Sequence, residues 1–218
     1  PAGAEPHDWE PAPADMIKIK NAKMFVYNGA GMEEWIDKLQ GSVLKGKKVV
    51  KASDYVSVLA AQFTEEGEPA PAGVSDPHIW LDPVNAQAIV QGIADAVSAM
   101  DPANGSYYKS NASHYIAELQ ALDQEYQILG NAPRKQIVTS HAAFAYMAKR
   151  YGLQQVAIMG LAPDAEPTPQ RMAEVIRYVK ANGIRYIFFE TLVSPKLSEV
   201  IASEAGAQTL VLRSEERR

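Results

Sequence analysis

Apolar positions along the chain follow two alternating rhythms. Short apolar runs bounded by Gly, Asn or Pro predict strands at Met24–Tyr27, Lys48–Lys51, Gln136–Thr139, Gln155–Met159, Ile184–Phe189 and Gln208–Leu212. Between them apolar residues recur every three or four positions. Met32–Leu39 reads as a helix with Trp35, Ile36 and Leu39 on one face, and Ser53 is placed to cap a helix over Asp54–Gln62. Asp82-Pro83 sets an N-cap and a first-turn proline ahead of Ala86, Ile89, Val90, Ile93, Val97 and Met100. Asp101-Pro102 ends that helix. Asn104–Leu129 is one long helical pattern carried by Tyr108, Ala112, Tyr115, Leu119, Leu122, Tyr126 and Leu129. At ~1.5 Å per residue it is roughly 35–40 Å long, enough to span two lobes. Further helices are predicted from Ala142 to Tyr151, from Thr168-Pro169 to Asn182, and from Ser194-Pro195 to Ala205, with Gly152, Gly183 and Gly206 as stops. Thr64–Asp76, rich in Glu, Pro, Gly and Ala, reads as a mobile loop.

Strands alternating with helices imply an α/β fold with mostly parallel sheets flanked by helices. The long helix divides the pattern into a lobe over 1–103, a connecting helix over 104–130 and a second lobe over 131–218. The opening Pro1–Pro6 reads as a loop, and the end follows directly on a strand. Both lobes are therefore expected to be incomplete at their outer ends.

Composition narrows the class. The chain has 218 residues, 47% of them hydrophobic, enough for a real core. Its formal charge of −5 argues against nucleic acid as a partner. No apolar run reaches the ~18 residues of a membrane span. With no cysteine, disulfides, thiolate catalysis and thiolate metal sites are excluded, so a transition metal would have to be held by carboxylates and the four histidines.

Three of those histidines sit in loops or at the first turn of a helix. They are His7 in Glu5-Pro6-His7-Asp8-Trp9, His78 in Asp76-Pro77-His78-Ile79-Trp80-Leu81-Asp82-Pro83, and His141 in Ser140-His141-Ala142-Ala143-Phe144. His141 directly follows a predicted strand, and ligands of parallel sheets bind beyond the carboxyl ends of strands. Asp8 and Asp76 lie one and two residues from a histidine, where a carboxylate can orient an imidazole through its second nitrogen. Glu190 ends a predicted strand and can point into a cleft. Three converging imidazoles suit a borderline metal such as Zn(II). The spacings of 71 and 63 residues are not a local metal signature, and each histidine taken singly reads as a loop residue or a cap. His114 reads as a solvated residue of the long helix. Trp9 and Trp80 read as loop-packing residues, and Glu65, Glu66 and Glu68 as a solvated acidic loop. Gly41–Lys48 approaches a phosphate-binding loop, but Lys48 stands where Ser or Thr should hold Mg(II) and a strand follows where a helix should.

These motifs, with Tyr27-Asn28-Gly29, Asn111-Ala112, Leu119–Tyr126 and Phe188-Phe189-Glu190, occur in one order over essentially the whole chain. In that order the chain resembles the metal-binding solute-binding proteins of ABC importers for zinc and manganese, the cluster A-I group. The resemblance implies two α/β lobes joined by one rigid helix, with a metal held in the cleft. It implies His7 and His78 as ligands from the first lobe, forming a partial site, and His141 as the ligand from the second that completes it. Asp8, Asp76 and Glu190 then form the outer shell. Histidine at the third place, where manganese-type members carry Glu, points to Zn(II) over Mn(II). Ungapped counting puts Glu216 at the fourth-ligand place of several zinc-type relatives, although Arg213, Ser214 and Arg217 do not match the surrounding motif; a water is the alternative. The implied role is an extracytoplasmic receptor, periplasmic or lipid-anchored. It would be monomeric, would deliver its ion to an ABC permease and would not be an enzyme. The other readings are a manganese or iron receptor of the same family, a metal-dependent hydrolase and a surface adhesin.

Overall fold

The computed structural model describes residues 6–64, 68–163, 166–191 and 194–213. Contacts divide the chain into two compact units, one of residues 1–58 with 82–125 and one of 59–81 with 126–218. Each carries a parallel sheet and helices. Residues 59–81, which the sequence division puts in the first lobe, thus fold with the second unit. Ala61 and Phe63 draw them there by packing against buried Ala142, Ala157 and Leu161.

The first unit contains α1 (Pro13–Asn21), β1 (Met24–Tyr27), α2 (Asp37–Gln40), β2 (Lys48–Lys51), α3 (Pro83–Met100) and nearly all of α4 (Gly105–Tyr126). Strands β1 and β2 pair in parallel, Met24 opposite Lys48 through Tyr27 opposite Lys51. Ile19, Trp35, Ile36, Leu39 and Leu44 form its core, with Trp9, Met16, Phe25 and Tyr27 packed on them. α1 is not signalled by the hydrophobic pattern, yet Pro13 stands at its start, where a missing N–H leaves nothing unpaired. α3 begins as the sequence predicts, Asp82 Oδ1 accepting from the Val84 N–H at 2.9 Å. The long helix ends at Tyr126 and tightens into a 3₁₀ turn over Gln127–Asn131. No helix among the described residues is long and apolar enough to cross a membrane.

The turn after β1 is tightly specified. Glu33 accepts the Asn28 N–H at 2.8 Å through Oε1 and the Gly29 N–H at 2.9 Å through Oε2. The Ser53 N–H donates to the Asn28 carbonyl at 2.9 Å, stitching this turn to the end of β2. Gly29 has φ +77°, and a Cβ there would lie 2.5 Å from Ser53 Oγ.

Two predicted helices are not formed as expected. Over Met32–Leu39 there is only a 3₁₀ turn at Glu34–Ile36 followed by the one-turn α2, although Trp35, Ile36 and Leu39 do face the core. Over Asp54–Gln62 a 3₁₀ turn at Ala52–Tyr55 gives way to extended backbone at Val56, so Ser53 caps no α-helix. β-branched Val56 and Val58 resist helix, and Ala60 and Phe63 instead bridge antiparallel to Ser75 and Pro69. The Thr64–Asp76 loop is thereby tied at its base.

The second unit holds β3 (Gln136–Thr139), α5 (Ala145–Tyr151), β4 (Gln154–Ala157), α6 (Pro169–Ala181), β5 (Tyr186–Phe189), α7 (Lys196–Ala205) and β6 (Gln208–Val211). Its sheet is parallel in the order β4-β3-β5-β6, so β3 and β5 are interior. Val138, Ile158, Val175, Val179, Ile187 and Ile201 form the core between sheet and helices. Thr168 caps α6 as expected, accepting the Arg171 N–H at 3.1 Å. α5 starts three residues later than predicted, leaving residues 142–144 as non-helical backbone after His141.

Candidate metal site

The two interior strands of the second unit deliver adjacent functional groups at their carboxyl ends. Ser140 and His141 follow β3, and Glu190 follows β5. The Ser140 N–H donates to the Phe188 carbonyl at 2.8 Å, extending the ladder one step past Thr139. Thr139 Oγ1 donates to the His141 carbonyl at 2.7 Å, and Gln155 Nε2 donates to Thr139 Oγ1 at 2.8 Å and to that same carbonyl at 3.1 Å. The backbone that carries His141 is therefore held by side chains from β3 and β4.

His78 is brought to the same place by the segment that returns from the 60–75 loop. Its main-chain N–H and its Nδ1 both lie on Asp76 Oδ1, at 2.9 and 2.8 Å. Ile79, fully buried, pins the following 3₁₀ turn. The Trp80 ring packs 5.4 Å from the His78 ring, centroid to centroid.

The two imidazoles are built alike. His141 Nδ1 lies 2.8 Å from Glu190 Oε1, which also accepts from Ser140 Oγ at 2.6 Å. With a carboxylate on each Nδ1, the hydrogen-bond network assigns the proton to Nδ1 and leaves each Nε2 as a lone pair. Those two Nε2 atoms face each other at 3.3 Å. Two ligands at ~2.0–2.1 Å on a tetrahedral Zn(II) stand roughly 3.3–3.4 Å apart. Two lone pairs at this separation repel unless a cation lies between them.

Burial favours the neutral, metal-binding form of His78. His78 and His141 are each only 1% exposed, Asp76 2% and Glu190 3%. Desolvation pushes the His78 pKa below the usual histidine range; Asp76 and Glu190 pull it upward, and His141 adds to the lowering. The imidazole is thus available as a neutral ligand at neutral pH.

His7 and Asp8 occupy a turn of the first unit ahead of α1, anchored by Trp9, whose ring meets Trp35 edge-on at 5.5 Å. His78, which the sequence division puts in the first lobe with His7, lies in the same compact unit as His141. His114 is exposed on α4, as the sequence predicts. Glu216, Glu65 and Glu66 lie outside the described residues. Sequence reasoning did not single out Ser140, Gln155 or Tyr146 as supports of the site. Ser140 stands within the His141 motif, whereas Gln155 and Tyr146 reach the site through tertiary contacts.

An α/β sheet presenting two buried, carboxylate-oriented imidazoles at its carboxyl edge defines a metal-binding protein. The comparisons say which kind. The family model described as the periplasmic zinc-uptake complex component A matches residues 1–218. The high-affinity zinc uptake system protein ZnuA of Bacillus subtilis is 41% identical over 98% of this chain and 69% of its own length. The zinc-binding lipoprotein AdcA of Streptococcus pneumoniae is 44% identical over 97% of this chain. This chain spans only 44% of AdcA. The Zn(II)-bound ZnuA-like domain of that AdcA superposes with a TM-score of 0.80 at 43% identity, covering 98% of this chain and 76% of the domain chain. The chain belongs to the zinc-uptake component A family.

Proposed function

We propose that this protein is the extracytoplasmic zinc receptor of an ABC importer, which captures Zn(II) and delivers it to the permease. The observation that carries this reading is the pair of Nε2 atoms converging at 3.3 Å with both Nδ1 atoms committed to carboxylates. Imidazole donors favour zinc over the harder manganese ion. His78 and His141 are the two ligands supported by geometry. His7 is the third, supported by the family motif around it, and a fourth position falls to Glu216 or to water. Asp8, Asp76 and Glu190 act as outer partners. The role is capture and release: Asp76 and Glu190 already serve as Nδ1 acceptors, so neither stands as a general base for a bound substrate. The receptor works as a monomer, and it is periplasmic or lipid-anchored as its named relatives are.

The test is calorimetric titration of metal-stripped protein with Zn(II) and Mn(II), beside His141→Ala and His7→Ala. Tight one-to-one zinc binding, weaker manganese binding and loss of at least about 100-fold in His141→Ala are expected, beyond the range for outer-shell changes. Equal affinity for both metals would reject the zinc assignment. Unaltered binding by His141→Ala would reject the ligand, and unaltered binding by His7→Ala would remove His7 from the set.

A further inference from the structure

Tyr146 lies on the first turns of α5, is 3% exposed, and has a hydroxyl that the metal site as described does not use. That hydroxyl accepts the Leu59 N–H at 2.9 Å and donates to the Asp76 carbonyl at 2.7 Å. The Asp76 N–H donates directly to the Leu59 carbonyl at 2.9 Å. Leu59 and Asp76 are therefore half of an antiparallel hydrogen-bonded pair. The other half, Leu59 N–H to Asp76 C=O, is opened and filled by the phenol. One residue further on, Ala60 bridges to Ser75. The phenol sits at the neck where the 60–75 loop leaves and returns.

The opened pair has a consequence for His78. Asp76 is the residue whose carboxylate holds both the His78 main-chain N–H and Nδ1. Its backbone position is set on one side by the direct bond to Leu59 and on the other by the phenol. Without the hydroxyl, the Asp76 carbonyl and the Leu59 N–H would either stay unpaired in a largely buried place or close on each other. Closing would draw Asp76 toward Leu59 and carry its carboxylate off the His78 ring. Imidazoles lose their aim and tautomer when their outer acceptor moves.

We propose that Tyr146 is a positioning residue for metal capture: its hydroxyl, wedged between the Leu59 N–H and the Asp76 carbonyl, fixes the Asp76 carboxylate and through it the orientation of His78. The inference rests on the zinc reading above. It makes α5, whose N-terminus follows the His141 segment, responsible for the placement of His78 as well. One short helix then keeps the two halves of the imidazole pair in register.

The experiment measures zinc affinity by chelator competition for the wild-type protein, Tyr146→Phe, Asp76→Ala and the double variant. Tyr146→Phe should weaken zinc binding about tenfold, the lower end of the range for outer-shell partners. In the Asp76→Ala background the same change should have no further effect, because the phenol acts through Asp76. The ligand-field spectrum of the Co(II)-substituted protein should shift in Tyr146→Phe, a signature that uniform destabilisation would not produce. If wild-type protein fails to bind zinc, the functional reading fails. If it binds and Tyr146→Phe binds equally well, or the two losses simply add, the positioning role fails. Should Tyr146→Phe not fold, 3-fluorotyrosine placed at 146 in otherwise native protein serves instead. Its ¹⁹F resonance should move on zinc addition, and an unmoved resonance overturns the proposal.

Discussion

Asp76 and Glu190 each orient one imidazole. Each holds an Nδ1 at 2.8 Å and so commits the opposite nitrogen as a lone pair. Asp76→Asn and Glu190→Gln keep the shape and remove the charge. Each should weaken zinc binding about 10–100-fold, read by competition with a chelating dye. Equal affinity in either variant would mean that the imidazole is aimed by packing alone. His78 also sets a pH dependence. Its pKa in the folded protein is lowered, chiefly by burial. Above a pH of about 6.5 the ring is neutral in both the folded and unfolded states and contributes nothing to the slope. Below it the unfolded chain gains a proton that the folded one refuses, so stability falls as pH falls. The urea midpoint of zinc-free protein should drop between pH 7.5 and 5.5, and His78→Gln should flatten that drop. A midpoint that holds steady in the wild type would contradict the burial argument.

Local elements are held by a few specific contacts. The turn after β1 depends on Gly29, which combines a positive φ with a neighbour at 2.5 Å from any added Cβ. Gly29→Ala adds left-handed strain of about 1–2 kcal/mol to an overpacking cost of about 1–3 kcal/mol. The expected loss, about 2 kcal/mol or more, would appear in denaturant unfolding. A near-neutral result would show that Ser53 and Lys51 yield freely. The segment after Ser53 makes the complementary point. The sequence predicts a helix over Asp54–Gln62, but the backbone turns extended at Val56, and Ala61 and Phe63 pack beside Ala142, Ala157 and Leu161.

For the molecule as a whole, the zinc reading predicts a linkage between ligand and fold. An ion that binds only the native state stabilises it by about 2.7 kcal/mol at a free concentration 100 times Kd. For a chain of this size that corresponds to a rise in Tm of roughly 5–11 °C. Scanning calorimetry with buffered zinc should show this rise, and a chelator should reverse it. His141→Ala should lose most of it at the same free zinc. A zinc-dependent rise that survives His141→Ala would place the stabilising ion elsewhere.

The sequence by itself determined the alternation of strand and helix, because period-2 and period-3.6 burial leave different local signatures. It also marked the starts of α3 and α6, since Asp82-Pro83 and Thr168-Pro169 act through neighbours two or three residues away. It offered His7, His78 and His141 as candidates through motifs, without showing which of them meet. Only the tertiary structure decided that residues 59–81 fold with the second unit, that Glu190 orients His141 from 49 residues away, and that Tyr146 reaches Asp76 across 70. The physical reason is range. Caps, turns and periodicity act between residues near in sequence, whereas the aim of an imidazole depends on whatever chain folding packs against its far nitrogen.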